Sequence, residues 1–170
     1  MDIRAYFKIF LSYFVLVLAQ VMVFNNINIS PLGITPLFYV LFILMLPYEV
    51  WGWLQLILGF VIGWSVDVFC DTPGLHSAST VLMTFMRTKV LEFISPRDGY
   101  RNGMHPYLME MGFNWFLSYS IPLVLVHHIA YFMLDAFGFE NFFRTLLKII
   151  LTSICTEMFI IFSQYIAYRK

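Results

Sequence analysis

The stretch "GFVIGWSVDVFCDTPGLH", Gly59 to His76, holds two glycines four residues apart, then two aspartates four residues apart, and turns at Pro73-Gly74. With Gln55 ahead of it, the series Gln55, Gly59, Gly63 and Asp67 repeats every fourth residue, so a helix lines these residues along one slowly drifting face. Small residues at this spacing let a second helix approach closely, which is what helix association in lipid depends on. Two readings of the face stand side by side: packing within the protein's own bundle, or a surface for self-association or a partner.

Working outward, the rest of the chain is equally apolar. Of its 170 residues 61% are hydrophobic and only 12% charged. Water-soluble domains carry roughly 25% charged residues, so this is the composition of an integral membrane protein. Runs such as "YVLFILML" and "IPLVLV" are unbroken, where the strands of a membrane barrel would alternate. The expected fold is therefore all-α. Two cysteines, Cys70 and Cys155, make neither a disulfide framework nor a metal pattern. The apolar run after Met1 lacks a small-residue cleavage site and reads as a retained first span.

A helix needs about 20 residues to cross the hydrocarbon. On that measure the expected spans are about 5–24, 32–46, 50–68, 74–94, 111–134 and 142–168, in a single six-helix transmembrane domain. The second is short and carries Pro36, and fusing it with the third would leave five crossings. Basic residues decide between these counts. Six crossings with both termini in the cytoplasm put Arg4, Lys8, Arg87, Lys89, Arg97, Arg101, Arg169 and Lys170 inside, leaving Arg144 and Lys148 outside.

Several polar residues then lie at membrane depth. Asp67 and Asp71 fall at the outer end of span three, where Asp71 reads as a cap or loop residue of the turn made with Pro73, Gly74 and His76. His127 and His128 lie at a similar outer depth, so either could pair with Asp67. Adjacent histidines point about 100° apart on a helix and lack the i, i+4 partner of a metal site, so no metal is expected. Arg87 and Glu157 have matching depths and make a candidate intramembrane ion pair, with snorkelling of Arg87 to the cytoplasmic surface as the alternative. No H-E-x-x-H or G-x-S-x-G occurs, so no enzyme, no cofactor and no nucleic-acid partner is expected.

The length, the span plan and the run "LGFVIGWSVDVFCDTPGLHSASTVLMTFMR" resemble the rod shape-determining protein MreD family. Gly59, Gly63, Asp67, Pro73, Gly74, Leu75 and His76 carry the resemblance. Cys70-Asp71-Thr72 departs from the small residues more usual before the proline, and the chain is unusually rich in aromatics. The resemblance implies a non-enzymatic protein of the bacterial inner membrane within the cell-elongation machinery. It implies binding to an MreC-like single-span protein and links, direct or indirect, to an MreB-like filament and the side-wall peptidoglycan synthases. It also implies a fold similar to the six-helix substrate-binding subunits of vitamin transporters, so a small-molecule binding subunit is the alternative function.

Overall fold

In a computed structural model, the structure describes residues 3–27, 33–100, 104–136 and 141–167. Among them every regular element is helical. Helix α1 runs Ile3–Met22, a 3-10 turn at Phe38–Val40 leads into the four-residue α2 at Leu41–Leu44, and α3 covers Gly52–Cys70. Then come α4 at Leu75–Phe93, a short α5 at Leu108–Met111, α6 at Phe113–Asp135 and α7 at Phe142–Ala167. Four stretches, Tyr6–Asn26, Gly52–Cys70, Phe113–Asp135 and Phe142–Ala167, are helical, long and apolar enough to cross a membrane. Arg101, Arg169, Lys170 and the side chain of Arg4, which enter the expected charge bias, lie outside the described residues.

Helix α4 matches its expected span closely in extent but not in apolarity, because its polarity is turned inward. His76, Ser77, Ser79, Thr80, Thr84 and Arg87 are buried, whereas Leu82, Phe85 and Phe93 are exposed. The exposed residues of α1 likewise include Phe7, Phe10, Leu11, Phe14 and Leu18. Apolar faces outward and polar groups inward is the arrangement of a protein whose solvent is hydrocarbon.

The second expected span departs most from expectation. Residues 34–37 take no regular secondary structure, and only the 3-10 turn and α2 coil. Pro36 donates no backbone hydrogen bond and biases Thr35 away from the helical region, and Pro47 bars continuation. The segment nevertheless travels far. Gly33 lies against Lys148, the Leu37 amide donates to Thr156 Oγ1 at 3.0 Å, and Gln164 Nε2 donates to Met45 Sδ at 3.1 Å. It therefore runs alongside α7 from Lys148 to Gln164, roughly 24 Å at 1.5 Å per residue. Non-helical backbone can rise up to about 3.3 Å per residue, which lets so few residues cover that distance. The direction agrees with the neighbours: Tyr13 bonds Ser65, and Asn25 Nδ2 donates to Cys70 Sγ at 3.0 Å, so α1 and α3 run the same way. The chain between them must return along the bundle. From Leu37 to Leu46 this return path is almost wholly buried, with Tyr39, Val40, Ile43 and Leu44 at 0% exposure.

The glycine series packs α3 on α4. A Cβ at Gly63 would stand 2.6 Å from the Ser77 Cα and 2.7 Å from the His76 carbonyl oxygen. At Gly59 it would stand 2.5 Å from Thr84 Oγ1. This is the intramolecular of the two readings: Gln55, Gly59, Gly63 and Asp67 are all buried. At the C-terminal end of α4, Tyr48 stacks on Tyr100 at 4.2 Å between centroids, and Tyr100 Oη donates to the Leu91 carbonyl at 2.9 Å. Burial pushes the Tyr100 phenol up to about 12.

The two glycines are expected to respond differently to alanine. Gly63→Ala meets backbone and should lower thermal stability strongly, whereas Gly59→Ala meets one hydroxyl and should be largely rescued by Thr84→Ala. Unfolding of the four variants in detergent checks this; equal losses at the two glycines would contradict it.

Candidate functional site

An irregular backbone with one 3-10 turn leaves amides and carbonyls unpaired, and in an apolar interior each unsatisfied group costs several kcal/mol. The buried polar side chains of the long helices meet these groups. Gln20 of α1 does so twice, accepting from the Tyr39 amide at 3.1 Å and donating to the Pro36 carbonyl at 3.0 Å. Thr156 of α7 takes the Leu37 amide. Further along the segment, Tyr119 Oη donates to the Leu44 carbonyl at 2.9 Å, and Arg87 Nη2 donates to the Leu46 carbonyl. Arg87 is fully buried, and its other donors reach Tyr119 Oη at 2.8 Å and Gln55 Oε1 at 2.6 Å. Gln55 Nε2 in turn donates to the Val50 carbonyl at 2.6 Å. Five side chains from α1, α3, α4, α6 and α7 thus hold one broken segment.

Asp67 works at the other end of the bundle. Helix α4 begins after Gly74, which has no side chain to cap it. Asp67 supplies the missing acceptor from the preceding helix, taking the His76 amide at 3.0 Å and the Ser77 amide at 2.9 Å. Thr72 Oγ1, Ser77 Oγ and His76 Nδ1 complete its shell at 2.7, 2.5 and 3.1 Å. A carboxylate at a helix N-terminus is favoured by the unpaired amides and the helix dipole. Asp71 instead ends α3, in the left-handed region at φ 55°, with its amide on the Asp67 carbonyl. The turn Asp71–His76 between α3 and α4 is therefore a continuous cap-to-cap device, in which Asp67 belongs as much as Pro73 and Gly74.

Two expected pairings do not form. Asp67 pairs with His76 rather than with His127 or His128. His127 Nε2 lies 2.7 Å from Tyr39 Oη, and His128 bonds the Val124 carbonyl at 2.8 Å and Thr156 Oγ1 at 3.1 Å. Both histidines serve the broken segment, one through the Tyr39 side chain and one through Thr156. Arg87 and Glu157 also stay apart. Tyr119 and Ser120 are consecutive on α6 and point to different flanks; Arg87 bonds Tyr119 on the α4 side, and Ser120 Oγ donates to Glu157 on the α7 side. Helix α6 stands between the two charges although they meet it at consecutive residues, and Arg87, fully buried, does not snorkel.

Two cavities adjoin this core. One of about 500 Å³, beside the α3–α4 turn, is lined by Asn25, Thr72, His76, Tyr131 and Lys148 among others. Lys148 Nζ sits 4.8 Å above the Phe132 ring at its edge. A lateral groove of about 270 Å³ lies between α6 and α7, with Ser153 and Glu157 in an otherwise apolar lining. Among the described residues, no group of three metal-ligating side chains comes together.

No family model, no curated protein and no solved structure matches this chain. The site stands on its own geometry.

Gln20, Tyr39, Tyr119 and Thr156 were not singled out by sequence reasoning. A signal existed for the first: Gln20 is a lone carboxamide in the long apolar run of α1. Gln20→Leu should cost roughly 2–6 kcal/mol of stability, since it strands an amide and a carbonyl at about 1–3 kcal/mol each. In a second experiment, Arg87→Gln and Glu157→Gln should be additive within about 0.5 kcal/mol, as groups without shared partners are. A clear coupling energy in that cycle would restore the ion pair.

Proposed function

We propose that the chain is a non-enzymatic component of the bacterial inner membrane, of the MreD kind, serving the cell-elongation machinery. In this reading it crosses the membrane six times with both termini in the cytoplasm. It binds an MreC-like single-span protein and supports side-wall peptidoglycan synthesis, with direct or indirect links to an MreB-like filament. The observation that carries the reading is where the polar side chains go. Arg87, Gln20, Gln55, Tyr119 and Thr156 are committed to the backbone of residues 36–50. The outward faces are broad and apolar, with Phe7, Phe10, Phe14, Phe60 and Phe162 exposed. A stiff bundle with such faces is suited to presenting surfaces to other spans. The parallel course of α1 and α3 supports the even count of crossings.

The outer cavity favours a second reading, a substrate-binding subunit of a transporter. Asn25, Thr72, His76, Tyr131 and Lys148 offer both hydrogen-bond donors and a cation there.

Affinity isolation in mild detergent followed by mass spectrometry separates the two. Recovery of MreC-like and wall-synthesis proteins is expected; reproducible recovery of an ATPase transport module would overturn the first reading in favour of the second. Cysteine labelling tests the topology. Pro73→Cys should react only from outside and Arg97→Cys only from the cytoplasm, and the reverse pattern would invert the orientation.

A further inference from the structure

Glu157 holds an unspent hydrogen-bonding group. It is 8% exposed, and its Oε1 accepts from Ser120 Oγ, but Oε2 has no partner among the described residues. One turn earlier on α7, Ser153 is 5% exposed and its Oγ is also unpartnered. Both line the groove between α6 and α7, whose other walls include Ile121, Val124, Ile154 and Met158. Ile154 and Met158 are more than half exposed, so the groove faces outward, away from the polar core.

An unpaired carboxyl oxygen inside hydrocarbon is costly, and such residues almost always find a partner. Glu157 stands about 15 residues into α7, near the middle of the helix, out of reach of lipid headgroups. Acyl chains offer no donor. At that depth backbone is tolerated only as helix or where other protein covers it, so a donor arrives on a helix.

We propose that the α6–α7 groove is the docking site for one transmembrane helix of a partner protein, which presents a side-chain donor such as a carboxamide to Glu157 and Ser153. The polar pair sets the register of the partner, and the apolar walls supply the contact area. The proposal rests on the partner-presenting reading above and adds the surface and the chemistry that recognises it. Failure at Glu157 would leave the co-isolation result standing, so the two can fail separately.

The test uses the full chain, fluorescently labelled and reconstituted in liposomes, with labelled synthetic transmembrane peptides as probes. One peptide is a polyleucine 21-mer with lysine ends; a second carries a single central Asn; a third carries the Asn near one end. Energy transfer should show the central-Asn peptide binding about three- to tenfold more tightly than the other two, the scale of one interhelical hydrogen bond in lipid. Glu157→Gln keeps an acceptor and should retain the gain, whereas Glu157→Leu should abolish it. Ser153→Leu, which fills the groove, should weaken all three peptides. A monodisperse elution profile and unchanged unfolding temperature certify each variant. Equal binding of the three peptides, or a gain that survives Glu157→Leu, would overturn the proposal. So would energy transfer between copies of the chain that depends on Glu157 and excludes the peptides, which would assign the groove to self-association.

Discussion

The structure depends on one constraint: the backbone of residues 34–46 runs through an apolar bundle without being a continuous α-helix. Its amides and carbonyls cannot turn to water, so side chains must meet them. Gln20, Thr156, Tyr119 and Arg87 do so from four different helices, and Gln55 both supports Arg87 and holds Val50. The result reverses the usual accounting, in which buried polar groups are liabilities. Here they are the glue by which four long helices grip the irregular one. A buried guanidinium suits the role because its fixed fork of donors serves several acceptors at once.

The same logic explains the contact between α3 and α4. Helix α4 carries its polar residues inward, where they need close neighbours, and the glycines of α3 let its backbone approach. Asp67 then binds the amides at the start of α4, and Thr72 and His76 steady the carboxylate. Close approach, helix capping and the polar core are thus parts of one arrangement running from the α3–α4 turn to Arg87. Glu157 lies on the far side of α6 and stands outside it.

Much of this was legible in the residues. Composition and unbroken apolar runs specify membrane helices, and the four-residue spacing of Gln55, Gly59, Gly63 and Asp67 marks a packed face. The long helices begin and end within about two residues of the expected positions, and Gly52, Pro73-Gly74 and Gly112 mark the starts of α3, α4 and α6. The form of the second span was not legible. Its apolar residues read equally well as helix or as buried irregular chain, and only the partners at Gln20 and Thr156 separate the two. Arg87 and Glu157 bond consecutive residues of α6 and so share one level of the bundle, yet level says nothing about azimuth. The intervening α6 is what parts them. The role of Asp67 as a cap for the following helix likewise needed the turn at Asp71, whose left-handed backbone returns the chain within reach.

The central claim is that buried side chains hold the backbone of the broken segment. An amide-to-ester exchange at Tyr39 removes the N–H that Gln20 accepts, without altering any side chain. Its unfolding free energy in bicelles should be measured with Gln20 and with Gln20→Leu in a double cycle. The account predicts a loss of about 1–3 kcal/mol for the ester in the presence of Gln20 and a much smaller loss once Gln20 is gone. Losses that simply add would contradict it.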